Sequence, residues 1–196
     1  MIPAREALAR LQEGNRRFVA NASGPAGRPS GVQRPFAIIL GCSDARVPAE
    51  LVFSQGFGDL FVIRVAGNIV APSQIGSVEF AAERFGTRLA VVLGHTQCGA
   101  VAATLEELRQ PQANQSPNLR AIVERIRPAI EPLLGQPVAT NPDQLYQSAV
   151  RANVQASVNQ LRHGSALLER LIERDGLLIV GGEYHVEEGT VEFFDS

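Results

Sequence analysis

Leu89-Ala90-Val91-Val92-Leu93-Gly94-His95-Thr96-Gln97-Cys98-Gly99-Ala100 decides the fold class. Its first five residues carry no polar side chain. A half-buried strand alternates apolar and polar residues, whereas a short, wholly apolar run reads as a strand covered on both faces, as in a parallel sheet between helices. The run then gives way abruptly to His95, Thr96, Gln97 and Cys98. Open α/β sheets collect their functional groups just beyond the carboxyl ends of their strands. The pattern therefore predicts a buried strand and a chemical site at its end.

Outward from this stretch the same pattern recurs. Residues 36–41 are apolar and lead directly into Cys42-Ser43-Asp44-Ala45-Arg46-Val47-Pro48. Residues 60–65 are apolar except for Arg64, and residues 177–180 are apolar throughout. Residues 190–194, after a turn at Glu188-Gly189, read as a final edge strand. Helical patterns fill the intervals: residues 75–85; a start at Ser116-Pro117 followed by Leu119, Ile122, Val123, Ile126, Ile130 and Leu133; and a second start at Asn141-Pro142 followed by Val150, Val154, Val158 and Leu161. Pro128 and Pro132 are expected to kink or split the first of these two helices. The order β, β, α, β, helices, β, β predicts an α/β fold. Its mainly parallel central sheet has about four strands plus an antiparallel edge strand and is flanked by helices. Ahead of it, Ala4, Leu8, Leu11, Phe18 and Val19 make an amphipathic N-terminal helical arm over residues 1–20. Residues 21–34, with three glycines and two prolines, read as a linker. The apolar stripe of the arm must dock on its own domain or on a partner subunit.

Length and composition bound the rest. A chain of 196 residues, 45% hydrophobic and 19% charged, suits a single globular domain spanning 1–196. All basic residues are arginine, and the formal net charge is −2. A general affinity for nucleic acid or anionic membrane is not expected. The apolar runs are too short to span a bilayer, and the N-terminus has no basic start followed by an apolar signal region. A cytoplasmic location is the default expectation.

The two cysteines, Cys42 and Cys98, are an improbable disulfide in a reducing compartment. With His95 they offer two thiolates and an imidazole, a donor set that suits zinc, with Zn–S near ~2.3 Å and Zn–N near ~2.0 Å. Three protein ligands leave a position for water, the pattern of a catalytic rather than a structural zinc. Asp44 and Arg46, two residues apart, can form a bidentate pair that keeps the carboxylate ionised and aimed. Alternatively Asp44 is a fourth ligand that closes the site. A different chemistry would use Cys42 as a nucleophile with His95 as its base.

Cys-Ser-Asp-x-Arg-Val-Pro followed by His-x-x-Cys-Gly resembles the β-class carbonic anhydrases. The similarity extends to Leu11-Gln12-Glu13-Gly14-Asn15-Arg16-Arg17-Phe18, to Phe61-Val62-Ile63-Arg64-Val65-Ala66-Gly67-Asn68 and to Gly181. The resemblance implies that Cys42, His95 and Cys98 bind Zn2+ and that Asp44 and Arg46 are a catalytic dyad. The implied reaction is reversible hydration of carbon dioxide to bicarbonate and a proton through zinc-bound hydroxide. It further implies that Gln33 contacts a substrate oxygen, that Phe61 lines an apolar substrate pocket, and that the backbone N–H of Gly99 steadies an oxygen. A homodimer or homotetramer, with the site near the subunit interface, is implied as well. The chain departs from the plant-type pattern at Phe80, where tyrosine is expected. It departs from the bicarbonate-regulated bacterial type at Ile39, where tryptophan is expected, although Arg64 fits that type. A non-catalytic zinc-containing bicarbonate sensor or scaffold on the same fold is the alternative function.

Overall fold

The computed structural model describes residues 2–21, 32–110 and 116–194. They fall into two compact units, Met1–Val32 and Gln33–Ser196. The first contains the expected arm as helix α1, Ala4–Asn21. Ion pairs one turn apart support it, Arg10 with Glu6 and Arg16 with Glu13, each at 2.7 Å. Most of the expected linker lies outside the described residues.

The second unit is built on a five-stranded sheet. Its strands are β1 (Ala37–Gly41), β2 (Leu60–Arg64), β3 (Leu89–His95), β4 (Leu178–His185) and β5 (Thr190–Phe194). The order is β2-β1-β3-β4-β5. Every pairing is parallel except that of β4 with β5. The apolar runs thus formed the parallel sheet with an antiparallel edge that their lack of alternation predicts. β4 runs five residues further than the apolar run 177–180. Gly181, Gly182 and Glu183 continue the ladder against Val92, Leu93 and Gly94, and backbone pairing there outweighs poor strand propensity.

Helices α2 (Ala49–Val52), α3 (Pro72–Arg84), α4 (Gly99–Arg109), α5 (Pro117–Ile130), α6 (Pro142–His163) and α7 (Ala166–Asp175) complete the unit. The Asn141 side chain caps α6 by accepting from the N–H groups of Asp143 and Gln144. Ser116 makes no such bond, so α5 starts on Pro117 at its first position alone. Pro128 is accommodated inside α5; the break comes at the second proline, where the chain tightens into a 3₁₀ turn, Glu131–Gly135.

Alternate residues of each strand serve two apolar layers. Ile38, Leu40, Ala90, Val92 and Ile179 pack with Val78, Ala81, Val154, Val158, Leu161 and Leu168. On the opposite face Ala37, Ile39, Val91 and Leu93 pack with Val47 and Ala49. A third cluster joins Val101, Leu105, Ile126, Ile130, Leu145 and Val150 to Cys42 and Cys98. It carries the first residues beyond β1 and β3 on a packed base.

Candidate active site

Cys42 is the first residue after β1 and His95 the last of β3, on adjacent strands. Cys98 is the N-cap residue of α4. All three are buried, and the ligand atoms Sγ, Sγ and a ring nitrogen lie within 4.8 Å of one another. Parallel pairing explains the convergence. β1 and β3 end side by side, so residues 53 positions apart in the chain become neighbours.

The surroundings orient each ligand. Nδ1 of His95 lies 2.7 Å from the Thr96 carbonyl oxygen. A carbonyl only accepts, so Nδ1 holds the proton and Nε2 keeps its lone pair. Nε2 is buried and has no hydrogen-bond partner. An orphaned nitrogen beside two thiol sulfurs costs free energy unless a cation meets it. The Gly67 N–H donates to the Cys42 sulfur at 3.4 Å. Gly67 sits at φ +70, and a Cβ there would meet Ile126 at 2.8 Å and Ala100 at 3.0 Å, so only glycine fits. Asn153 of α6 donates to the Gly67 carbonyl at 2.8 Å, and Tyr146 donates its hydroxyl to the Cys98 carbonyl at 2.9 Å.

A hydrogen bond from Cys98 is the main reason the Cys42 pKa is pulled down to about 4, with His95 and backbone N–H groups outweighing its burial. The Cys98 thiol is pushed up by the Cys42 thiolate and by burial. Burial opposes charge on His95, but the Cys42 thiolate, the Thr96 carbonyl and Asp44 together raise its pKa. Two soft sulfurs and an imidazole lone pair within 4.8 Å of one another fit zinc.

Beside this cluster Asp44 is locked to Arg46. Nε and the backbone N–H of Arg46 donate to Oδ1 at 3.0 and 2.9 Å, and Nη2 donates to Oδ2 at 2.8 Å. These bonds hold the Asp44 carboxyl well below the usual carboxylate range. Its Oδ2 lies 3.9 Å from His95 Nε2. Asp44 therefore stands next to the ligand set while committed to Arg46. Arg64 donates to the Cys42 carbonyl at 3.0 Å and to the Asp44 carbonyl at 2.5 Å, bracing the loop that carries both.

A family model described as carbonic anhydrase matches residues 37–191, from the start of β1 into β5. The chain belongs to the carbonic anhydrase family. Its class is β. The carbonic anhydrase of Mycolicibacterium smegmatis is 39% identical over 189 residues, covering 93% of this chain and 89% of that protein. A β-carbonic anhydrase of the fungal pathogen Aspergillus fumigatus superposes with a TM-score of 0.74 at 25% identity, over 97% of this chain and 86% of that one. One of the tetrameric β-carbonic anhydrases of Sordaria macrospora shares the fold, with a TM-score of 0.75 at 21% identity over 98% and 94% of the two chains.

Of the residues that the β-carbonic anhydrase resemblance singles out, the structure brings together Cys42, Asp44, Arg46, His95, Cys98 and Gly99. Gly99 is exposed at the first turn of α4, where backbone N–H groups have no partner within the helix. A Cβ at Gly99 would meet nothing within 4 Å. Gln33 and Phe61 are not joined to the cluster within one subunit. Gln33 is exposed and precedes β1, at the opposite end of the sheet from the site. Phe61 pairs with Ile38, four residues before Cys42, and packs with Phe80 and Phe85 at 6.2 and 6.0 Å between ring centres. A neighbouring pocket of about 380 Å³ is lined by Thr96, Gln97, Tyr146, Glu183, His185 and Glu187, among others. Burial raises the Glu183 pKa there. Its further carboxylates, Asp143 and Glu188, make it a poor host for an anion.

Sequence reasoning missed Gly67, Arg64, Tyr146, Asn153 and Gln97 as supports. Gln97 carried a signal, since it stands between two of the candidate ligands, and Arg64 and Gly67 lie in the 61–68 stretch that carries the family resemblance, though with no support role read from it. Tyr146 and Asn153 reach the site from a distant segment and only through contacts that folding makes.

Proposed function

We propose that the chain catalyses the reversible hydration of carbon dioxide to bicarbonate and a proton, with Cys42 Sγ, Cys98 Sγ and His95 Nε2 holding a zinc ion. When bound, zinc supplies a Lewis acid that makes water nucleophilic near neutral pH. Asp44, kept ionised by Arg46, accepts a hydrogen bond from the attacking water and aims its lone pair at the carbon of carbon dioxide. The Gly99 N–H, at the positive end of α4, steadies the oxygen that gains charge. The Thr96 carbonyl fixes the His95 tautomer, and Arg64 keeps the Asp44 loop in place. The proton released passes to buffer.

The observation that carries this reading is the Asp44–Arg46 pair. A carboxylate with both oxygens engaged by one arginine, 3.9 Å from His95 Nε2 of the candidate ligand set, supports a role for Asp44 beside a metal and not as its ligand. A scaffold or sensor would need no such pair, and a purely structural zinc would want a fourth protein ligand. Among the described residues the cluster has three.

The substrate is a small molecule, and no helix of the described residues is long and apolar enough to cross a membrane. We further infer a cytoplasmic homodimer or homotetramer in which residues 1–196 work as one domain carrying its N-terminal arm. Exposed Phe36 and Phe193 border the sheet face that holds Ile39 and Val91, and a groove of about 200 Å³ runs between them. A second copy covering such a face gains apolar burial. A second copy would also account for Gln33 and Phe61, which lie away from the cluster within one subunit.

The test is stopped-flow carbon dioxide hydration on zinc-loaded protein from about pH 6.5 to about 9, a range that brackets the ionisation of metal-activated water. Turnover that rises with pH through a single ionisation is expected. No turnover above buffer, with one zinc per chain present, would refute the assignment.

A further inference from the structure

The geometry points to Gln97 as a positioning residue of the Asp44–Arg46 pair, with Glu187, on the turn between β4 and β5, as its anchor. The inference rests on the carbonic anhydrase reading of the site. Asp44 and Arg46 lie on one loop and bond each other, which fixes their mutual geometry, and Arg64 braces the loop's backbone, but neither contact fixes the outer edge of the Arg46 guanidinium. What ties it down comes from elsewhere. Arg46 Nη1 donates to the Gln97 side-chain oxygen at 2.9 Å, and Nη2 donates to the Gln97 carbonyl at 3.1 Å. The Gln97 amide then donates to Glu187 Oε1 at 2.8 Å. The relay runs Glu187 to Gln97 to Arg46 to Asp44, across three separate segments of the chain.

Gln97 stands between His95 and Cys98, so the tie sets the dyad relative to the ligands themselves. The far end is fixed as well. The β4–β5 turn is held against the same loop by the Val186 N–H, which donates to Thr96 Oγ1 at 3.0 Å, and by the Thr96 N–H, which donates to the Tyr184 carbonyl at 2.9 Å.

The backbone argues in the same direction. Gln97 has φ +58, in the left-handed region where a residue with a side chain is disfavoured and glycine is not. Backbone preference alone would put glycine there, and what glutamine adds is its pair of side-chain hydrogen bonds. A residue that merely supported the fold would leave the protein less stable when removed. A strained residue that positions the dyad would, on replacement by glycine, leave the protein as stable or more so and cost turnover.

The experiment compares the zinc-loaded wild type with Q97G, E187A, E187Q and the Q97G/E187A double variant. Q97G is expected to lower kcat about tenfold with KM nearly unchanged, one zinc per chain and an unfolding temperature that does not fall. E187A should lower kcat about threefold. The double variant should be no worse than Q97G, because Glu187 acts only through Gln97. E187Q, whose amide oxygen still accepts, should stay within twofold of wild type. In the ¹⁵N–¹H spectrum the Arg46 Nε–H signal should be sharp in the wild type and E187Q, and broadened in Q97G. Full turnover in Q97G, a fall in its stability or zinc content alongside the rate, or multiplying losses in the double variant would overturn the proposal. A zinc-loaded wild type that fails to hydrate carbon dioxide would overturn the assignment of the reaction instead. The Arg46 signal would still decide whether Gln97 holds the guanidinium.

Discussion

Asp44→Asn separates the dyad's chemistry from its contribution to stability. The carboxylate accepts three hydrogen bonds from Arg46, two on Oδ1 and one on Oδ2. An amide has one oxygen. With that oxygen in place of Oδ1, the new NH2 faces the Nη2 donor; turned the other way, two bonds are lost. At least one charge-assisted bond therefore disappears. The Arg46 side chain is 46% exposed, so solvent offsets most of the stability loss. The kinetic loss is larger, because Oδ2, the oxygen 3.9 Å from His95 Nε2, becomes a donor or loses its anchor. Losing a positioned proton acceptor costs roughly 10²–10⁴ in rate, about 3–5 kcal/mol of activation free energy. Stopped-flow hydration, urea unfolding and zinc analysis on the same preparation would check this. The expected result is a rate at least a hundredfold lower, near-normal stability and a full complement of zinc. A rate within threefold of wild type would refute the role given to Asp44. Loss of zinc in step with the rate would make Asp44 a ligand.

Gly67→Ala should destabilise by about 3 kcal/mol in urea unfolding. It places a Cβ 2.8 Å from Ile126 at φ +70, combining a left-handed backbone cost of roughly 1–2 kcal/mol with overpacking of roughly 1–3 kcal/mol; a loss under about 1 kcal/mol would contradict this packing. Cys98→Ser should leave the helical circular dichroism unchanged while zinc after gel filtration falls below about a tenth per chain, because a hydroxyl is a far poorer zinc donor than a thiolate; retention of full zinc would remove Cys98 from the ligand set. The pH dependence follows from the lowered Asp44 pKa. A carboxyl depressed on folding stabilises above its unfolded pKa of about 4, and that stability is lost as pH falls through the lower folded value. The stability gap between wild type and Asp44→Asn should therefore be flat from about pH 5 to about pH 8 and begin to close below about pH 4. A gap that changes near neutrality would place the titrating group elsewhere.

Some elements were readable because their cause is local. The runs at 89–93 and 36–41 are wholly apolar, and burial on both faces of a parallel sheet follows from that alone. Pro117 and Pro142 mark helix starts because proline lacks an N–H that the first turn does not use. Elsewhere local signals told only part. Ser116 stands at the N-cap of α5 without bonding its first turn, and Pro128 sits inside α5, where the buried Val123, Ile126 and Ile130 keep the helix intact up to the break at Pro132. β4 passes through two glycines, because pairing with β3 on one side and β5 on the other supplies what propensity does not.

The chemistry divides along the same line. By itself the sequence determined the candidate donor set, Cys42, His95 and Cys98, and the neighbours Asp44 and Arg46, since side-chain chemistry and short spacing are read residue by residue. It determined the parallel sheet that would bring them to one edge. The tertiary structure decided the geometry of the pair, with both Asp44 oxygens held by Arg46, and which residues brace it. Gln97 and Glu187 are 90 positions apart, Asn153 is 86 from Gly67, and Tyr146 is 48 from Cys98. Such pairs leave no periodicity or spacing in the chain. They exist only because the strands order as β2-β1-β3-β4-β5 and bring the β4–β5 turn and α6 against the ends of β1 and β3. Ligand identity is a property of side-chain chemistry and is written residue by residue. Orientation is a property of distance, and distance exists only once the chain has folded.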